Sequence, residues 1–216
     1  LEMVFKLNML KKMFLFALPL VPSSFIGYLL LLSDRVAIAQ FGSAYELGLY
    51  SVAIQFSLSV GILFTAVFPP WEAWIFRKHK IIKEKDFGEI SRIFLIIIFL
   101  GFLSTSVFIP IIKYIAPFLV DKKFVGVNLF VAPVLYATLS IGLFNLIKTV
   151  LISIKETKFV LIISFIILLL NIVSMYLFVN IFGAIGASYS LIFTFSTGIL
   201  LIYLKLYAIS KEVNPE

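Results

Sequence analysis

Apolar residues come in long unbroken runs along this chain, and the charges fall between them. The runs are Met13–Leu32, Leu47–Trp71, Ile93–Ile112, Phe124–Ile147 and Phe159–Leu204. A helix needs roughly 20 mostly apolar residues to cross the hydrocarbon core of a bilayer, and each run reaches that length. The last is long enough for two crossings, with a break at Asn180-Ile181-Phe182-Gly183 that reads as the turn of a helical hairpin. The pattern predicts an all-α polytopic membrane protein. Its six transmembrane helices form a bundle in a single transmembrane domain over residues 1–216, at about 13–33, 47–69, 92–114, 124–147, 158–179 and 184–205.

Composition agrees. Apolar residues make up 62% of the chain and charged residues 13%, against about a quarter charged in soluble domains. A water-soluble protein of 216 residues could not hide this many large aliphatic side chains, whereas lipid hides them without cost. The net charge of +7 would suggest nucleic acid only if the charges clustered. They flank the spans instead, which is a topology signal, and no nucleic-acid partner is expected. When ends and loops are assigned alternately to the two sides, all of the 18 Lys and Arg residues except Arg35, Lys113, Lys122 and Lys123 share the side holding both ends. Excess Lys and Arg marks the cytoplasmic face. The expectation is a multi-pass protein of the plasma (inner) membrane with both termini of this segment cytoplasmic.

Polar and helix-breaking positions refine this picture. Pro19 and Pro22 either bend the first span or mark a helix start, since proline is welcome in a first turn. The first span either ends near Leu32, leaving Asp34 and Arg35 on the outer surface, or slides outward and carries both into the membrane. Pro69-Pro70 is expected to stop the second helix, with Trp71 and Trp74 in an interfacial aromatic belt. The mixed charges of Arg77–Arg92 predict a short surface helix or loop. Lys148 reads as an anchor at an inner helix end, its ammonium snorkelling to the interface. The pairs Ser23/Gly27, Ser57/Gly61 and Gly183/Ala187 have the small-xxx-small spacing that lets helices approach.

The chemistry of known intramembrane enzymes is missing. No histidine lies in any span, and His79 sits among Arg77, Lys78 and Lys80 as a solvated surface residue. There is no cysteine, which excludes disulfides and thiolate metal sites. Paired acids for a metal and a glycine-rich phosphate loop are also absent. No cofactor, metal or enzymatic reaction is implied, and a carrier is favoured.

Several motifs resemble the polysaccharide-biosynthesis, or O-antigen flippase, family of the multidrug/oligosaccharidyl-lipid/polysaccharide exporter superfamily. They are Leu18-Pro19-Leu20-Val21-Pro22-Ser23-Ser24, Leu32-Ser33-Asp34-Arg35, and Glu46-Leu47-Gly48-Leu49-Tyr50-Ser51-Val52-Ala53. Pro69-Pro70-Trp71 and Asn171 followed by Phe182-Gly183-Ala184-Ile185-Gly186-Ala187-Ser188 are similar to later family elements. One departure is Trp71, which follows the prolines where the family more often has tryptophan before them.

The resemblance implies one lobe of a two-lobe exporter, here the start of the second, so the partners expected are a missing N-terminal lobe of the same protein, membrane lipids and a lipid-linked oligosaccharide. Leu1 in place of an initiator methionine fits a piece of a longer chain. The implied activity is movement of a polyprenyl-diphosphate-linked oligosaccharide to the outer leaflet, through a cavity open to one side at a time. Asp34, Arg35, Gln55, Asn145 and Asn171 are the candidates for the substrate pathway. Arg35 would meet an anionic head group, Asp34 would bind a coupling cation or hold Arg35, and the three amides would line the cavity or bond between helices. A drug or cation antiporter of the same superfamily and a non-transporting scaffold are the alternatives.

The topology is checked by labelling intact cells with a membrane-impermeant maleimide in a cysteine-free background. Lys122→Cys should react from outside and Lys80→Cys only after permeabilisation. The reverse result would invert the bundle.

Overall fold

The computed structural model describes residues 7–78 and 84–212. Among them the architecture is all-α, a multi-pass bundle in which six helical spans are long and apolar enough to cross a membrane. The helices are α1 (Leu7–Ala17), α2 (Leu20–Phe41), α3 (Ala44–Lys78), α4 (Glu84–Leu119), α5 (Asn128–Ser153), α6 (Thr157–Phe182) and α7 (Ile185–Glu212), with a 3-10 turn at Lys122–Val127 before α5. His79, Lys80 and Lys83 lie outside the described residues.

α1 and α2 share the first span, Lys11–Phe41. Both readings of Pro19 and Pro22 hold here. Pro19 sits at the N-cap of α2 and Pro22 in its first turn, where a missing N–H costs nothing, so a helix starts inside a span that is interrupted. α2 then runs on to Phe41 rather than stopping near residue 33. Its end is set by Gly42, whose N–H bonds to Ile38 O at 2.8 Å, and by the next helix's capping box. There Ser43 Oγ accepts from the Glu46 N–H at 3.2 Å, while Glu46 Oε2 accepts from the Ser43 N–H at 2.9 Å. These reciprocal bonds satisfy two orphan donors at once. They join α2 to α3 through only two residues.

α3 passes through Pro69-Pro70 without ending, contrary to the expected stop. The prolines leave the carbonyls of Thr65 and Ala66 without their usual helical donors, and both residues border cavities. Neighbouring protein or cavity water is what makes proline tolerable inside a membrane helix. The next turn is held by Trp71, which is buried and donates its indole N–H to Leu146 O of α5 at 2.9 Å. Trp71 is therefore a core anchor and not part of an aromatic belt. α4 likewise contains Pro110 and Pro117 and extends from Glu84, so Glu84–Arg92 belongs to its first turns.

α5 is the most buried helix and the centre of the bundle, packed on α3, α4 and α7, while α6 packs on α7 and α2. The tightest approach is at the α6–α7 turn. Gly183 has φ +65°, and a Cβ on Gly186 would lie 2.0 Å from Phe178 O. Gly27 and Gly61, expected to bring helices together, have nothing within 4 Å of a built Cβ and border open space instead. The large apolar side chains exposed on α2, α4 and α6 are what a lipid-facing surface requires.

Gly186→Ala should therefore destabilise the protein by several kcal/mol, the range of severe backbone clashes. Gly27→Ala should be neutral or stabilising by up to about 1 kcal/mol through helix propensity. Thermal unfolding in detergent checks both, and equal effects would refute the close α6–α7 approach.

Candidate functional site

α2 and α3 leave their tight turn together and then diverge. Near the turn they are tied by one hydrogen bond, in which Tyr50 Oη donates to Asp34 Oδ2 at 2.9 Å. Both residues are buried, and the Tyr50 ring meets Phe130 of α5 edge-on at 6.2 Å. Asp34 Oδ1 also accepts the backbone N–H of Arg35 at 2.7 Å, so the buried carboxylate has a donor on each oxygen. Further along, α2 leans on α6, where Ser23 and Ser164 hydroxyls share a 2.7 Å hydrogen bond. α3 instead leans on α5 through Trp71. The two helices form a V with α5 as its floor.

The cleft along this V is a row of three neighbouring cavities, the middle one sharing lining residues with each of the others. Near the apex it has a volume of about 400 Å³ and is lined by Asp34, Arg35, Tyr50, Ser57 and Thr138, among others. A narrower part of about 100 Å³ follows, between Ser23, Gly27, Asn145 and Lys148. It widens to about 550 Å³ between α3 and α5, at Gly61, Thr65, Glu72, Asn145, Lys148 and Thr149. Gly27 and Gly61 leave this space open. Along α5 the lining runs from Val134 to Ile152, about 27 Å at 1.5 Å per residue, close to the ~30 Å hydrocarbon thickness.

Charges stand at its two ends. Arg35 is exposed into the apex end. Its backbone N–H bonds to Asp34. Lys148 is part-buried at the other end, its Nζ 5.4 Å from the centre of the Phe144 ring. It lies five residues before the end of α5, about 7.5 Å along the helix. Lys148 is thus a wall residue of the cleft as well as a group near the membrane boundary.

The pathway candidates separate. Asp34 and Arg35 line the apex cavity, and Asn145 lines the two cavities that follow it. Gln55 is exposed on α3 outside the cleft lining. Asn171 does not line the cleft. It is fully buried on α6, and neither amide atom has a hydrogen-bond partner among the described residues. One turn away Ser174 shares hydrogen bonds with Ser190 (2.7 Å) and Thr194 (3.2 Å) of α7, so this polar band belongs to the α6–α7 interface. The lining residues that the sequence did not assign to a pathway are Tyr50, Ser57, Thr65, Glu72 and Thr138, with Lys148 assigned a lesser role. A signal existed for part of this set: Thr138, Asn145, Lys148 and Thr149 recur at helical spacing on one side of α5. Among the described residues no group of three or more His, Cys, Asp or Glu is placed to hold a metal.

No protein-family model and no curated protein matches the chain. Among solved structures it is similar to a MOP superfamily transporter from Pyrococcus furiosus, one whose binding pocket is described as having a reverse polarity that suggests a different function. The likeness has a TM-score of 0.63 at 18% identity and covers 93% of this chain. The chain spans 47% of the length of that transporter. The bundle therefore has the fold of about half of a MOP superfamily transporter.

If the Asp34–Tyr50 bond ties the apex, Tyr50→Phe should cost about 1–3 kcal/mol, the penalty for a buried acceptor losing its donor. A double-mutant cycle with Asp34→Asn, read by thermal unfolding in detergent, should show coupling. Additive effects would mean that the two groups do not depend on each other.

Proposed function

We propose that this chain forms one wall of a carrier for an amphiphile with an anionic head group, a polyprenyl-diphosphate-linked oligosaccharide, and that the carrier moves it across the plasma membrane. The observation that carries the reading is a cleft about 27 Å long, apolar over most of its wall, with Asp34 and Arg35 at one end and Glu72 and Lys148 at the other. A charged head group crossing lipid needs polar partners along its path, because a charge at the bilayer centre costs several kcal/mol. Arg35 and Lys148 would hold a diphosphate at the two ends of its path. Thr138, Asn145 and Thr149 would offer hydrogen bonds to sugar hydroxyls between them. The open side of the V, between α2 and α3, is where a second lobe would close the passage. The fold likeness to half of a transporter supports this division. The basic end of the bundle, with both termini of this segment, would face the cytoplasm.

A second reading is cation-coupled drug export, favoured by one observation: Asp34 is a buried carboxylate at the cleft wall. The two readings part on the effect of removing positive charge.

In proteoliposomes of the full-length protein, Arg35→Ala and Lys148→Ala should each slow translocation of a fluorescent polyprenyl-diphosphate oligosaccharide by about ten- to a hundredfold. That is the loss of one charge-assisted hydrogen bond of about 1.5–3 kcal/mol. Gln55→Ala should have little effect. Wild-type rates in Arg35→Ala, Lys148→Ala and Asp34→Ala would remove the cleft from the mechanism. Intact flipping with lost drug efflux would favour the second reading.

A further inference from the structure

α3 has a second cavity on its other side. Where α3 and α4 separate, an apolar trough of about 470 Å³ lies between them, with Leu139 of α5 in its floor. A shallower pocket of about 400 Å³ continues it past Pro70, Trp71 and Trp74. The two share Val67 and Ile97. On α4 the trough runs from Ile93 to Phe108, about 22 Å of helix. Its one hydroxyl in the deeper part, Ser104, already bonds to Gly101 O at 3.0 Å. No polar group there asks for water, so the trough suits hydrocarbon.

One side chain belongs to both spaces. Phe64 lines the cleft and the apolar trough. It is the partition because Gly142 of α5 lets it lie flat: a Cβ on Gly142 would be 2.4 Å from the Phe64 ring. Gly101 plays the same part opposite Leu139 at 2.8 Å. An amphiphile whose head occupies the cleft has to put its tail somewhere apolar. The open side of the V faces the second lobe, whereas the trough is open to lipid and is one aromatic ring away.

We propose that the hydrocarbon tail of the cargo leaves the cleft past Phe64, between α3 and α5, and lies in the α3–α4 trough while the head group stays in the cleft. This rests on the carrier reading above and adds a tail site to it. The occupant is the tail of the bound cargo and not an acyl chain of the surrounding bilayer. Displacement of the Phe64 ring from Gly142 opens the way, so Phe64 acts as a positioning residue for the tail.

The test uses full-length protein in nanodiscs with a photoreactive amino acid at one of three positions: Leu103 in the trough, Ile141 in the cleft, or Leu169 on the exposed face of α6. The probe is a polyprenyl-diphosphate disaccharide radiolabelled in its tail. Expected is saturable labelling from Leu103, displaced by excess unlabelled probe, lowered several-fold by Lys148→Ala and raised by Phe64→Ala. Labelling from Leu169 should not be displaced. Displaceable labelling from Ile141 without any from Leu103 would overturn the tail site and leave the carrier reading standing. Labelling from Leu103 that matches Leu169 and ignores competitor would mean bilayer lipid only and would also overturn it. No displaceable labelling from either Ile141 or Leu103 would overturn both.

Discussion

A carboxylate inside a membrane helix must be given donors or water, because hydrocarbon offers neither. Asp34 meets that demand with Tyr50 from the neighbouring helix and with the N–H of Arg35. The bond to Tyr50 ties α2 to α3 just beyond their two-residue turn. Past it each finds a different support: Ser164 on α6 for α2, and the Leu146 carbonyl on α5 for α3. The V-shaped cleft is the consequence of one tie at the apex and two separate anchors at the arms.

The floor of that cleft turns the geometry into a path. α5 is the buried centre of the bundle, yet one stripe of it stays uncovered between the arms and carries Thr138, Asn145, Lys148 and Thr149. α3 then divides two solvents. On one side its neighbours are polar groups and open space. On the other it borders an apolar trough shared with α4.

Six spans were legible in the sequence because membrane helices declare themselves by length and by the exclusion of charge. Their ends were less legible. Pro69-Pro70 would stop a helix in water, but α3 continues because its freed carbonyls border cavities and Trp71 anchors the following turn. The first span passed its expected end because the capping box at Ser43 and Glu46, not the first charge, decides where α2 gives way to α3. Asp34 and Arg35 stood out as charges beside an apolar run. Asn145 and Asn171 looked alike as amides in apolar helices. They differ only in which way each helix turns its faces, and that depends on packing partners a single sequence does not reveal. Lys148 was hidden by a different effect: near a helix end, a cleft-lining lysine and a snorkelling one have the same sequence signature.

One face of α5 lines the cleft from Val134 to Ile152, and a carrier needs that face to be open to water. Scanning single cysteines from Thr138 to Ile152 in a cysteine-free full-length protein, with a small water-soluble thiol reagent, tests it most directly. High reactivity is expected at 138, 141, 145, 148 and 152 and protection at 139, 143, 146, 147 and 150, a helical periodicity sustained over about 20 Å. Uniform protection of residues 138 to 145 would contradict it, since the groove would then be closed to water and to any polar cargo.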